Sequence, residues 1–159
     1  MLRMKVGKWQ VKMIIQPSAD GPKILIDSLT ANRELIGDYC LHEEMYPKKN
    51  TVEKGFKRLS DLAFNVNENR WDYISIDTRI TAGIMYFTFL DQKGDRITSV
   101  ISSFPHPGFG ENRADRGKSV FMRNVIRRID DDHDQVLQYW RLTDQQEWLA
   151  VQYDYSRTK

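Results

Sequence analysis

Apolar and polar residues alternate along most of this chain. Trp9, Val11, Met13 and Ile15 are separated by Gln10, Lys12 and Ile14, with Lys8 just before. Successive side chains of a β-strand point to opposite faces, so the run predicts a strand with one apolar and one wetter face. Similar runs cover residues 23–34, 35–45, 62–66, 71–80, 82–90, 96–104, 119–129, 135–142 and 147–157. Turn chemistry separates many of them: Asp20-Gly21 between Pro17 and Pro22, Asn67-Glu68-Asn69, Lys93-Gly94-Asp95, and the acidic stretch from Asp130 to Asp134. Gly37 suggests a bulge or bend inside the third run. One segment reads differently. Over residues 50–62, Thr51 can cap a helix, and Phe56, Leu59 and Leu62 fall near helical spacing. About ten short strands with hairpin-length joints make an antiparallel meander. The expected fold is an all-β up-and-down barrel of about 8–10 strands, because closure removes both exposed edges.

Composition narrows the picture. A length of 159 residues suits a single domain spanning 1–159 with a sizeable core, and 40% hydrophobic with 29% charged residues excludes a disordered chain. The net charge of +2 is spread along the chain, so no nucleic-acid partner is expected. Cys40 stands alone, which rules out an internal disulfide framework and favours the cytoplasm. The first residues, Met1 to Val6, lack the apolar core of a signal peptide, and no run approaches the roughly 18 apolar residues of a membrane helix. A soluble, unanchored protein is expected.

Two motifs at the ends of the chain, Gly7-Lys8-Trp9 and the closing Tyr155-Ser156-Arg157, resemble those of lipocalins and their calycin relatives. Between them lie Trp71-Asp72-Tyr73, Ser75-Ile76-Asp77 and Arg123-Asn124-Val125-Ile126. In this order the set is similar to a family of small, mostly bacterial, lipocalin-like proteins of unknown function. The resemblance implies that Trp9 plugs one end of the barrel and that Arg157 lies across it, both in structural roles. A guanidinium over an indole face is a sound physical basis for such a plug. In the last strand Leu149, Val151, Tyr153, Tyr155 and Arg157 share one parity. The further motifs of secreted lipocalins are missing, so their ligands are not carried over.

The run 71–80 carries the most informative pattern. One face holds Trp71, Tyr73, Ser75, Asp77 and Arg79, and the other Ile74, Ile76, Thr78 and Ile80. The hydrophobic-in rule would bury the isoleucines. The alternative turns the polar-aromatic stripe inward, with the isoleucines covered by the helical turn or by a second subunit, and with Asp77 and Arg79 paired inside. A ligand cavity needs a few polar groups among aromatics. On that reading the ligand-binding candidates are Trp71, Tyr73, Asp77, Arg79, Phe87, Met122, Tyr139 and Tyr153, with Met13 and Met85 also able to face inward.

Other candidates carry less. His42, His106 and His133 are not at metal-ligand spacing, so no metal or haem site is expected. His106 reads as a surface loop residue. The acidic stretch lacks the pattern of a calcium loop and reads as a solvated turn. Gly108-Phe109-Gly110 is not followed by a helix pattern and is no phosphate loop. Cys40 reads as a buried small hydrophobe. The expected function is binding of a small hydrophobic or amphipathic ligand inside a barrel, without a cofactor. The alternatives are an isomerase-, cyclase- or lyase-type enzyme using Asp77 with Arg79 or Tyr73, and a ligand-free domain that acts by forming a homodimer.

Overall fold

A computed structural model of the chain describes residues 2–48, 57–80, 82–108, 115–143 and 145–158. After a single 3-10 turn at Leu2–Lys5, the chain forms ten strands: β1 (Gly7–Ile15), β2 (Ile24–Ile36), β3 (Cys40–Pro47), β4 (Arg58–Asn65), β5 (Arg70–Asp77), β6 (Ile84–Lys93), β7 (Arg96–Pro105), β8 (Ser119–Arg128), β9 (His133–Leu142) and β10 (Trp148–Arg157). Each pairs antiparallel with the next, and β10 returns to β1, closing an up-and-down barrel compatible with a lipocalin-like fold. No helix among the described residues is long and apolar enough to cross a membrane.

Period-two burial explains the strands. In β1, Trp9, Val11, Met13 and Ile15 are buried while Lys8, Gln10 and Lys12 are exposed. The core is the barrel interior, where these residues meet Leu29, Met45, Met122 and Tyr153. β6 changes partner along its length. Ile84–Phe87 pair with β5, and the ladder with β7 starts only at Thr88.

Three expectations about elements need correction. The helix over 50–62 fails at its second half, because Arg58 to Leu62 belong to β4; residues 50–56 lie outside the described residues. Arg58, Ser60 and Leu62 are buried on alternate positions, and two polar residues at inward positions disguised the strand. Gly37 is not a bulge inside a strand. It sits in the β2–β3 turn with φ of 63°, a left-handed conformation that glycine adopts without strain. Leu149 does not share the inward face of β10. A register shift between Leu149 and Val151 buries Ala150 and pairs Leu149 with Tyr139.

The closing pair of strands brings Trp9 and Arg157 into register. The Arg157 guanidinium carbon lies 4.4 Å from the centre of the Trp9 ring. Its Nη1 donates to the Val6 carbonyl at 2.6 Å, and its Nε lies 3.2 Å from the Asp132 carboxylate. The Trp9 indole N–H donates to the Lys5 carbonyl at 3.0 Å, which ties the 3-10 turn to the barrel end. Replacing Arg157 with alanine removes the stacking and the hydrogen bond to the Val6 carbonyl. The variant is expected to lose about 1–3 kcal/mol of stability, read from denaturant unfolding. An unchanged midpoint would show that the stack does not hold the strands together.

Candidate functional site

Strand parity sends charge into the barrel. Arg33 follows the buried Leu29 and Ala31 on β2, Glu43 lies between the buried Leu41 and Met45 on β3, and Asp134 precedes the buried Val136 on β9. Arg58 opens β4 on the same face as Ser60 and Leu62. A buried charge is tolerable only when it is paired, and these pair with one another. Asp134 accepts from Lys5 Nζ and Arg33 Nη1, each at 2.6 Å. Glu43 accepts from Arg33 Nε at 2.8 Å and from Arg58 Nη2 at 2.7 Å. The Tyr155 hydroxyl accepts from Arg58 Nη2 at 2.9 Å and donates to Glu43 at 3.1 Å. Aromatic rings flank the guanidinium groups: Arg33 lies over Trp9 and Tyr155, and Arg58 lies 4.4 Å from the centre of the Tyr153 ring.

Burial alone would raise the Glu43 pKa, but Arg33 and Arg58 outweigh it and hold the carboxyl at about 2. Burial pushes the Tyr73 and Tyr155 phenols upward, so both stay protonated at neutral pH. Burial lowers the pKa of Lys5, against the pull of Asp134.

A second polar unit lies on the polar-aromatic stripe of β5. Trp71, Tyr73, Ser75 and Asp77 are all buried, while Ile76 on the opposite face is 37% exposed. Ile74 and Ile80 are half-buried. Asp77 accepts from the Arg79 backbone N–H and Nε, each at 2.9 Å, and from Nη2 at 2.6 Å. Arg79 also donates to the Tyr153 hydroxyl at 3.0 Å and to the Met13 sulfur. Asp77, Arg79 and Tyr153 therefore meet, whereas the Tyr73 ring packs against Phe87 with centroids 4.8 Å apart. The Asp77 carboxylate is paired with Arg79, with its Oδ2 2.6 Å from Nη2.

Phe87 and Met122 are buried in the interior, as are Met13 and Met85. Tyr139 is not. Its neighbour Trp140 takes the inward position on β9, and Tyr139 lies on the outer wall with the Arg123 guanidinium 4.1 Å from its ring centre. Two smaller readings also change. His106 is no surface histidine: it is 2% exposed, packs edge-on against Trp140, and accepts from the Gly108 N–H at 3.1 Å. Cys40 is half-buried at the start of β3 rather than in the core. The acidic turn is solvated through Asp132, but Asp134 is buried. Arg33, Glu43, Arg58, Asp134 and Tyr155 were not among the sequence candidates, although each keeps step with buried apolar neighbours on its strand. No group of His, Cys, Asp and Glu among the described residues is placed to hold a metal.

Two recesses belong to this region. A small inner cavity of about 30 Å³ is lined by Arg58, Glu43, Leu41, Leu62, Tyr73 and Tyr155, among others. An open groove of about 560 Å³ at the barrel end is lined by Leu2, Tyr39, Phe64, Val66, Trp71 and Gln92, with Arg3 and Asp38 at its margin. The Trp71 indole N–H donates to Gln92 at 2.8 Å. No protein-family model matches the chain, and no curated protein matches it.

Two measurements follow from the ion pairs. Asp77→Asn leaves Arg79 without its carboxylate and is expected to cost roughly 3 kcal/mol, the low end for a broken buried pair because Arg79 keeps some exposure. A change near zero in urea unfolding would refute that pairing. Glu43 titrates near 4.5 when unfolded and near 2 in the fold, so its contribution is complete above about pH 4.5 and is lost as the pH falls through about 2. Unfolding midpoints should drop over that window, and less steeply in Glu43→Gln. Equal acid slopes in the two proteins would contradict the assignment.

Proposed function

We propose that this chain is a lipocalin-like binding barrel for a small, largely apolar ligand whose polar end enters the interior. The observation that carries this reading is the alignment of the two recesses along one pair of strands. Phe64 and Trp71, which line the groove, are register partners on β4 and β5. The next pair on the same faces is Leu62 and Tyr73, which line the inner cavity. Polarity thus rises along one path, from an aromatic groove to a charged interior, which is the pattern that orients an amphipathic molecule. Trp71, Tyr73, Asp77, Arg79, Phe87, Met122 and Tyr153 are the proposed walls or supports of that path.

Unsatisfied polar atoms on β7 and β8 support the same reading. Ser99 and Asn124 are register partners on β7 and β8. The Ser99 hydroxyl and both amide atoms of Asn124 are buried without a hydrogen-bond partner among the described residues. A core built only for stability would leave such atoms out or pair them.

The test uses a neutral apolar fluorophore, N-phenyl-1-naphthylamine, and native mass spectrometry of the purified protein. Saturable binding of one fluorophore per chain, weakened by Phe64→Arg, is the expected result, and a co-purified small molecule would add to it. Absence of both saturable binding and any bound mass would refute the binding reading.

A further inference from the structure

We infer that Arg58 receives the polar end of the ligand and that this end is a monoanion of the carboxylate type. The inference rests on the binding reading above and adds the charge of the head group and the residue that meets it. Arg58 is 2% exposed. Only its Nη2 is engaged, by Glu43 and Tyr155; Nε and Nη1 have no hydrogen-bond partner among the described residues. A guanidinium has five donors and no acceptor capacity, so an occupant that satisfies Arg58 must bring lone pairs.

Charge selects the kind of acceptor. Among the described residues, the interior network joins four cationic side chains, Lys5, Arg33, Arg58 and Arg79, to three carboxylates, Glu43, Asp77 and Asp134. Asp134 is shared by Lys5 and Arg33, and Asp77 is taken by Arg79. Glu43 must therefore serve Arg33 and Arg58 together. The phenols of Tyr73 and Tyr155 supply no negative charge. One positive charge is left over, centred on the residue that also has spare donors. A carboxylate balances it, and its oxygens form charge-assisted hydrogen bonds with N–H groups. A neutral alcohol would leave the excess in place, a second cation would double it, and a dianion would reverse it. The inner cavity beside Arg58 holds only a few atoms, which suits a head group and leaves an alkyl tail to the groove lined by Phe64 and Trp71.

The experiment compares octanoate, 1-octanol and octylammonium as competitors against bound N-phenyl-1-naphthylamine, near pH 7.5. The three share one tail, so differences report the head group. Octanoate is expected to displace the fluorophore at a concentration at least tenfold below that of octanol, with octylammonium weakest. In Arg58→Gln the advantage of octanoate over octanol should fall to within about twofold while the fluorophore still binds. Arg58→Lys keeps the charge but not the planar donors, and it should retain an intermediate preference. Should the Gln variant fail to fold, the Lys variant and the order of the three competitors on the parent protein decide. Equal potency of octanoate and octanol on the parent protein, with the fluorophore bound, would overturn the anion inference and leave the binding reading standing. An octanoate preference undiminished in either variant would show that Arg58 is not the receiver. Failure of the fluorophore to bind at all would overturn both.

Discussion

Glu43 stands between Arg33 and Arg58, and the barrel interior is arranged around that one shared carboxylate. Two guanidinium groups cannot be buried side by side in a closed barrel without an anion between them, because desolvation of each is costly. The same carboxylate links the two ends of the interior. Through Arg33 it reaches Asp134 and Lys5 and so the 3-10 turn that covers one end. Through Arg58 it reaches the ring of Tyr153, whose hydroxyl meets the Arg79–Asp77 pair. Closure and charge are therefore not separate problems. Trp9 lies against Arg157 at the rim and against Arg33 inside, so the residue that seals the strands also borders the interior ion pairs.

The wall of the barrel was legible in the sequence because alternation needs only nearest neighbours along the chain. Trp9 to Ile15 announces a strand by itself, and the turn at Gly94, with φ of 58°, falls where a hairpin loop was expected. The contents of the barrel were harder to read. Arg58 and Ser60 occupy the inward parity of β4, so the strand lost its apolar signature and Phe56, Leu59 and Leu62 mimicked a helical repeat. Asp134 was hidden at the end of an acidic run whose first members are solvated. The available signal was a charged residue keeping step with buried apolar ones, as in Leu29, Ala31 and Arg33 or Leu41, Glu43 and Met45. Its meaning depends on partners that lie many residues away, such as the 101 positions between Arg33 and Asp134. Tyr139 shows the converse. Its residue type suggested a lining role, but the inward position belongs to Trp140.

The two faces of β5 show what this barrel gives up. Ile76 remains partly exposed, and the inward face carries Tyr73, Ser75 and Asp77. Buried ion pairs are weak contributors to stability, and well-packed apolar residues of similar volume often do as well or better. Exposing the apolar face of a strand in exchange for a charged interior therefore has no stability rationale of its own. The exchange makes sense if the interior must recognise something polar, and the spare donors of Arg58 lie on the same inner surface as that stripe. The aromatic residues nearby then have two functions, flanking the guanidinium groups and lining the approach from the groove.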